Sequence, residues 1–143
     1  MTSGPDDLFA DLPYRVHTNS ELELMLAGTK PMAMFGHWLA EEDFHEELLR
    51  PFREHPRTRH FIYRRLCWID ERPAYRSIRT YVARPSEEWR IDAHIAMWTA
   101  VHYSGWNDGF ERLEGFLLGY EAWQNEAFIQ WQAKRAAEGR MSR

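Results

Sequence analysis

Lysine, cysteine and long apolar runs are scarce in this chain, and each shortage excludes something. Lys30 and Lys134 are the only lysines in 143 residues, so the basic character rests on arginine. Arginine's planar fork suits bidentate contact with carboxylates and phosphates, and stacking on aromatic rings. Cys67 is the single cysteine, which excludes an intrachain disulfide. The start, MTSGPDDLFADLPYR, is acidic and broken by prolines, without the basic and apolar regions of a secretory signal, so a cytoplasmic location is expected. No apolar run approaches the ~20 residues that span a bilayer, and no membrane partner is expected. Glycine-rich phosphate loops, G-x-S-x-G and G-x-G-x-x-G are all missing, and no other motif names a reaction.

What the chain does have is aromatic residues, at 15% and with seven tryptophans, in a length suited to one domain with a real core. Its net charge of −4 is unevenly spread. Residues 1–50 carry three basic and ten acidic side chains, residues 51–90 ten and five, and residues 91–143 five and seven. An acidic first third folding against a basic middle is the simplest account of this asymmetry.

The pattern predicts a loose N-terminal arm over residues 1–16, a single domain over 17–134, and a frayed tail over 135–143. Within the domain, Thr18 and Glu21 have capping-box spacing for a short helix that Gly28 ends. PMAMF (31–35) reads as a buried strand. AEEDFHEELLR (40–50) reads as a helix with Phe44, Leu48 and Phe52 on its inner stripe, limited by Pro51. Residues 59–69 and 74–83 read as a hairpin around DERP. A helix over 87–103 buries Ile91, Ile95, Trp98 and Val101, and a long last helix runs from Asp108 to about 134. The fold class is therefore α+β: a small, mostly antiparallel sheet in the order α-β-α-β-β-α-α, with helices packed on it and a long C-terminal helix. Its βαββα portion matches five-sixths of a ferredoxin-like unit. Gly115 and Gly119 mark a close approach of another backbone, either within the chain or in a homodimer through that helix face.

The hairpin carries the main functional expectation. With a four-residue loop at 70–73, Arg64 stands opposite Arg79, and like charges across a ladder repel. Something negative is then expected between them. It is either an internal carboxylate from the Glu41–Glu47 helix or an anionic partner, with Trp68, Tyr75 and Tyr81 available for stacking. The leading expectation is a small cytoplasmic binding or regulatory protein that holds an acidic protein surface or a phosphate-bearing ligand on this Arg–aromatic face. RNA or single-stranded DNA is a weaker fit, because the strand lacks the early glycine of the RNA-recognition consensus and the chain is net acidic.

A rival expectation is a histidine-centred enzyme. His37, Glu41 and His45 fall four apart, and Glu42 and His45 form E-x-x-H, so a metal site would draw on these four and on ligands from elsewhere. His94 and His102 flank Trp98 at four-residue spacing, as candidates for acid–base work. Cys67 lies where Arg65 and Arg76 would activate a thiol. No cofactor is named by any of these patterns.

Overall fold

The computed structural model describes residues 9–68 and 76–141, with the side chains of Trp68, Arg140 and Met141 excepted. The fold is α+β, in the element order the sequence indicates, with the last helix divided in two. The elements are α1 (Glu21–Leu26), β1 (Met32–Trp38), α2 (Glu42–Glu54), β2 (Ile62–Trp68), β3 (Ser77–Ala83), α3 (Trp89–Ser104), α4 (Asp108–Leu117) and α5 (Ala122–Met141). The three strands form one antiparallel sheet in the order β1-β3-β2. That is the strand order of a ferredoxin-like unit lacking its final strand, but here the helices cover both faces. On one face Met25, Leu49 and Phe52 pack with Ala33, Phe35 and Val82. On the other, Ile91 and Leu117 pack with Met32, Tyr81 and Ala83. Strand alternation sends successive residues to opposite sides, which is how seven-residue strands feed two cores.

Several expectations are corrected. The Thr18 capping box does not form: α1 begins at Glu21 behind Ser20, and Asn19 takes a left-handed φ of 68°. Pro51 does not stop α2, which continues to Glu54 because Phe52, nearly fully buried, anchors the last turn against Phe35 at 5.5 Å. The inner stripe of α2 is His45, Leu49 and Phe52, while Phe44 is 55% exposed. The inner stripe of α3 is likewise Ile91, His94 and Met97. The hairpin register differs by two residues: Arg64 faces Tyr81, and Arg79 faces Leu66. A two-residue shift keeps every side chain on its face. It also removes the direct Arg–Arg opposition, and the expected loop at 70–73 lies outside the described residues.

Residues 1–8 of the expected arm and 142–143 of the expected tail lie outside the described residues, and the remaining parts are ordered differently from expectation. Among residues 9–16, Leu12 and Val16 are buried, and Tyr14 meets the rings of Tyr120 and Trp123 edge-on at 5.9 and 5.6 Å. The tail is helical as far as Met141, as its alanines and long charged side chains favour. Gly115 and Gly119 are both used inside the chain. A Cβ on Gly115 would sit 1.9 Å from Asn125 Oδ1, so α4 and α5 close on each other there. Gly119, at φ +95°, ends α4 and lies against Pro31. The face expected to pair with a second copy is thus filled by Asn125 and Pro31. No helix among the described residues is long and apolar enough to cross a membrane.

Candidate functional site

The hairpin arginines project from β2 to both sides of the sheet and end among carboxylates. Arg64 donates to Asp92 at 2.5 Å and to Glu88 at 3.2 Å. Arg65 donates to Glu46 at 2.5 Å and to Glu42 at 2.9 Å. The internal carboxylates that the sequence reading places on the Glu41–Glu47 helix therefore serve Arg65, while Arg64 is served from the start of α3. Arg79 donates to the Tyr81 hydroxyl at 3.2 Å and lies over the Trp98 ring at 5.1 Å. Tyr81, expected to stack on a ligand, is fully buried at 0% exposure. Tyr75 and the Trp68 side chain lie outside the described residues. Helices cover both faces of the sheet.

The metal-type constellation comes apart in three dimensions. His37 and His45 meet through their Nδ1 atoms at 2.7 Å, and His45 Nε2 bonds Thr80 Oγ1 at 2.8 Å. Both nitrogens of His45 are thereby occupied. Burial, then the neighbouring His37 and Arg65, hold this imidazole below its ordinary pKa. Glu42 turns to Arg65, and a Glu41 carboxylate oxygen accepts from the Trp38 amide. Among the described residues no group of three or more His, Cys, Asp or Glu is arranged to hold a metal ion. Cys67 is exposed on β2, and His102 is exposed near the end of α3, edge-on to Tyr103.

His94 is the one candidate that leads to a site. It is fully buried on α3, and its two nitrogens join neighbouring side chains. Nε2 lies 2.9 Å from a Glu114 oxygen and Nδ1 lies 2.6 Å from the Tyr81 hydroxyl. A carboxylate can only accept, so Nε2 donates; with a neutral imidazole Nδ1 then accepts from Tyr81, whose oxygen accepts from Arg79. The chain Arg79–Tyr81–His94–Glu114 thus runs in one direction through the buried pair Tyr81 and His94. Burial raises the Tyr81 pKa, which keeps its hydroxyl protonated as this chain requires.

Glu114 in turn lines a cavity of about 200 Å³ enclosed by the N-terminal arm, α4 and α5. Phe9, Tyr14, Tyr120 and Phe128 bring aromatic rings to it, and Glu111, Glu114 and Asn125 bring polar groups. Glu111 and Glu114 are three apart on α4 and so share a face. Glu114 accepts from His94 Nε2, and Glu111 accepts from Trp106 Nε1 at 2.8 Å. Among the described residues neither carboxylate is paired with lysine or arginine. Burial pushes the Glu111 carboxyl up, the nearby Glu114 and Asp108 push it further, and the Trp106 N–H partly offsets them. Tyr14 is pushed up to about 12 by burial, Tyr120 and Glu111.

A clamp holds the arm in place beside this cavity. The His17 amide donates to the Tyr120 hydroxyl at 2.8 Å, and the His17 ring stacks on Tyr120 at 3.8 Å. Lys30, 2% exposed, sits 2.8 Å from His17 Nδ1 and donates to the Leu118 carbonyl at the end of α4. Burial lowers Lys30 to about 7, and burial with Lys30 nearby lowers His17 to about 4.

Chemically, two carboxylates without a lysine or arginine partner among the described residues, beside aromatic rings, can attract positive charge. Ring faces attract cations, and a partly buried carboxylate gains most from an oppositely charged neighbour. The sequence reading misses Glu111, Glu114, Tyr14 and Tyr120, because E-x-x-E on a helix resembles any solvated face. The available signal is Gly115, beside Glu114, already marked as a point of close approach. The chain matches no protein-family model, no curated protein and no solved structure.

Proposed function

We propose that the chain is a small cytoplasmic binding protein that takes a compact organic cation, an alkylammonium or guanidinium group, into the pocket between the N-terminal arm, α4 and α5. The observation that carries this reading is the pair Glu111 and Glu114, without lysine or arginine partners among the described residues, in an aromatic-lined cavity. At about 200 Å³ the cavity is smaller than the sites that take drug-sized ligands, roughly 300–1,000 Å³, which favours a side-chain-sized group. Titration calorimetry with n-butylammonium and methylguanidinium tests it, with butyrate as the control of opposite sign. Saturable one-to-one binding of a cation tighter than about 1 mM is expected, with no binding of butyrate. Absence of saturable heat with either cation, or equal binding by a folded Glu111→Gln/Glu114→Gln variant, overturns it.

The anionic ligand expected for the arginine face is a second reading, favoured by one observation. Arg79 and Trp98, stacked on each other, line an open groove of about 600 Å³ together with Ser77, Thr99 and His102. Inorganic phosphate or an aromatic carboxylate would then bind the native chain and not Arg79→Ala. Equal affinity of the two proteins removes this reading.

A further inference from the structure

The two edges of the sheet are guarded unequally. β2 carries Arg64 and Arg65, and charged side chains are a common protection of edge strands. β1, MAMFGHW, carries no Lys, Arg, Asp, Glu or Pro. Part of its outer backbone also has no partner among the described residues. Leu39 N–H donates to the Arg76 carbonyl and Arg84 N–H to the Pro31 carbonyl, both on the β1–β3 register line. In an antiparallel ladder this alternation commits the odd-numbered residues of β1 to β3 and turns the amides of Met34 and Gly36 outward. No described residue hydrogen-bonds to those two amides. Gly36 is exposed, and a Cβ there would meet only Met34 Sδ within 4 Å, so another backbone can approach.

A cavity of about 820 Å³ lies along this edge, lined by residues 34–37 of β1 and by side chains of α1 and α2. Leu22, Leu26 and Leu48 supply apolar surface, and Glu21, Glu23 and Glu47 supply charge. Its lining contains no lysine or arginine. Glu47 is paired with Arg50, whereas Glu21 and Glu23 form no ion pair among the described residues.

We propose that the β1 edge and this cavity form a docking site for an extended segment of a partner protein, added to the sheet as a fourth strand. The outward amides supply main-chain hydrogen bonds, and alternate side chains of the segment choose between the leucines and the carboxylates. The segment is therefore one in which apolar residues alternate with lysine or arginine. A second copy of this chain fits less well, because β1-to-β1 pairing would bring two acidic rims together. This site is separate from the cation pocket, and neither proposal depends on the other.

The test uses a small set of labelled octapeptides alternating Val, Ile or Leu with Lys, read by fluorescence anisotropy and by amide NMR of the protein. Expected are saturable binding of at least one peptide below about 1 mM and shifts with new exchange protection at Met34 and Gly36. A roughly 10-fold loss in Glu21→Gln/Glu23→Gln, surface changes that leave the core intact, is expected as well. Loss of binding when the peptide backbone is N-methylated on its pairing edge distinguishes strand addition from simple charge attraction. The proposal is overturned by no saturable binding across the set, by equal binding of Glu-containing analogues, or by shifts that bypass β1. A concentration-dependent dimer protected at Met34 and Gly36 overturns it in favour of a second copy.

Discussion

The arginines of β2 and the glutamates of α4 are both close pairs of like charge, and they meet opposite fates. Arg64 and Arg65 are adjacent in a strand, so they leave on opposite faces, and each ends between two carboxylates. Glu111 and Glu114 are adjacent on a helix face, so they leave together, and neither meets a lysine or arginine among the described residues. Charge density along the sequence favours the arginines as the binding feature. Charge left without an opposite partner favours the glutamates. A site is recognised by what its groups still require after folding, and the strand and helix periods decide which charges are separated and which are kept together.

The largest expected effect comes from the chain beneath the acidic pair. His94→Ala leaves Glu114 and the Tyr81 hydroxyl without their partner and opens a void in the core. A loss of about 3 kcal/mol in denaturant unfolding is expected. Tyr81→Phe should cost about 1–3 kcal/mol, because the hydroxyl's bonds to His94 and Arg79 are lost while the ring stays packed. If both variants unfold like the parent, the buried chain contributes nothing to the site.

Glu111→Gln/Glu114→Gln should weaken n-butylammonium binding by about 100-fold, or about 2.7 kcal/mol. It should not destabilise the ligand-free protein at neutral pH. Glu111, with its folded pKa raised, contributes stability that is present at acidic pH and lost as pH rises through the folded value. Removing that charge therefore raises the neutral-pH Tm slightly. A marked drop in Tm would mean that the pair is satisfied in the native protein.

Lys30 sharpens the contrast from the basic side, as a cation held where charge is unfavourable. Its pKa falls from the ordinary 10.5 to about 7, so between those limits the unfolded chain keeps a proton that the native chain has released. Stability therefore rises as pH increases across that window, and Lys30→Met should flatten the rise. His17, lowered from 6.5 to about 4, makes stability fall as pH drops through the interval between those values. Guanidinium unfolding at a series of pH values checks both slopes.

The smallest effect is expected at the arginines. Arg64→Ala and Arg65→Ala each remove partly exposed ion pairs, and less than about 1 kcal/mol should be lost. Cation binding should not change. A large loss in either variant would mean that these pairs are structural supports rather than neutralised surface charge.

Strand positions, helix order and the α+β class were legible because apolar periodicity and glycine placement are local signals. Gly28, with φ +82°, ends α1 as its chemistry requires. The errors share a cause. Apolar residues alone do not mark the inner stripes, because α2 and α3 each bury a histidine. His45 and His94 are tolerated inside because both ring nitrogens of each find partners from other elements. No local pattern shows such partners. The hairpin register likewise is not local: DERP marks a turn but does not fix which residues of the two strands stand opposite. The pocket was hidden for a third reason: its walls come from the arm and from α5, far apart in sequence, and Tyr14 and Tyr120 become neighbours only after folding.

The most direct measurement is an NMR titration of the Glu111 side-chain carboxyl, with and without saturating n-butylammonium. The account requires a carboxyl that titrates above the ordinary glutamate range in the free protein and moves down when the cation binds. An ordinary value in the free protein, unchanged by the cation, would contradict it.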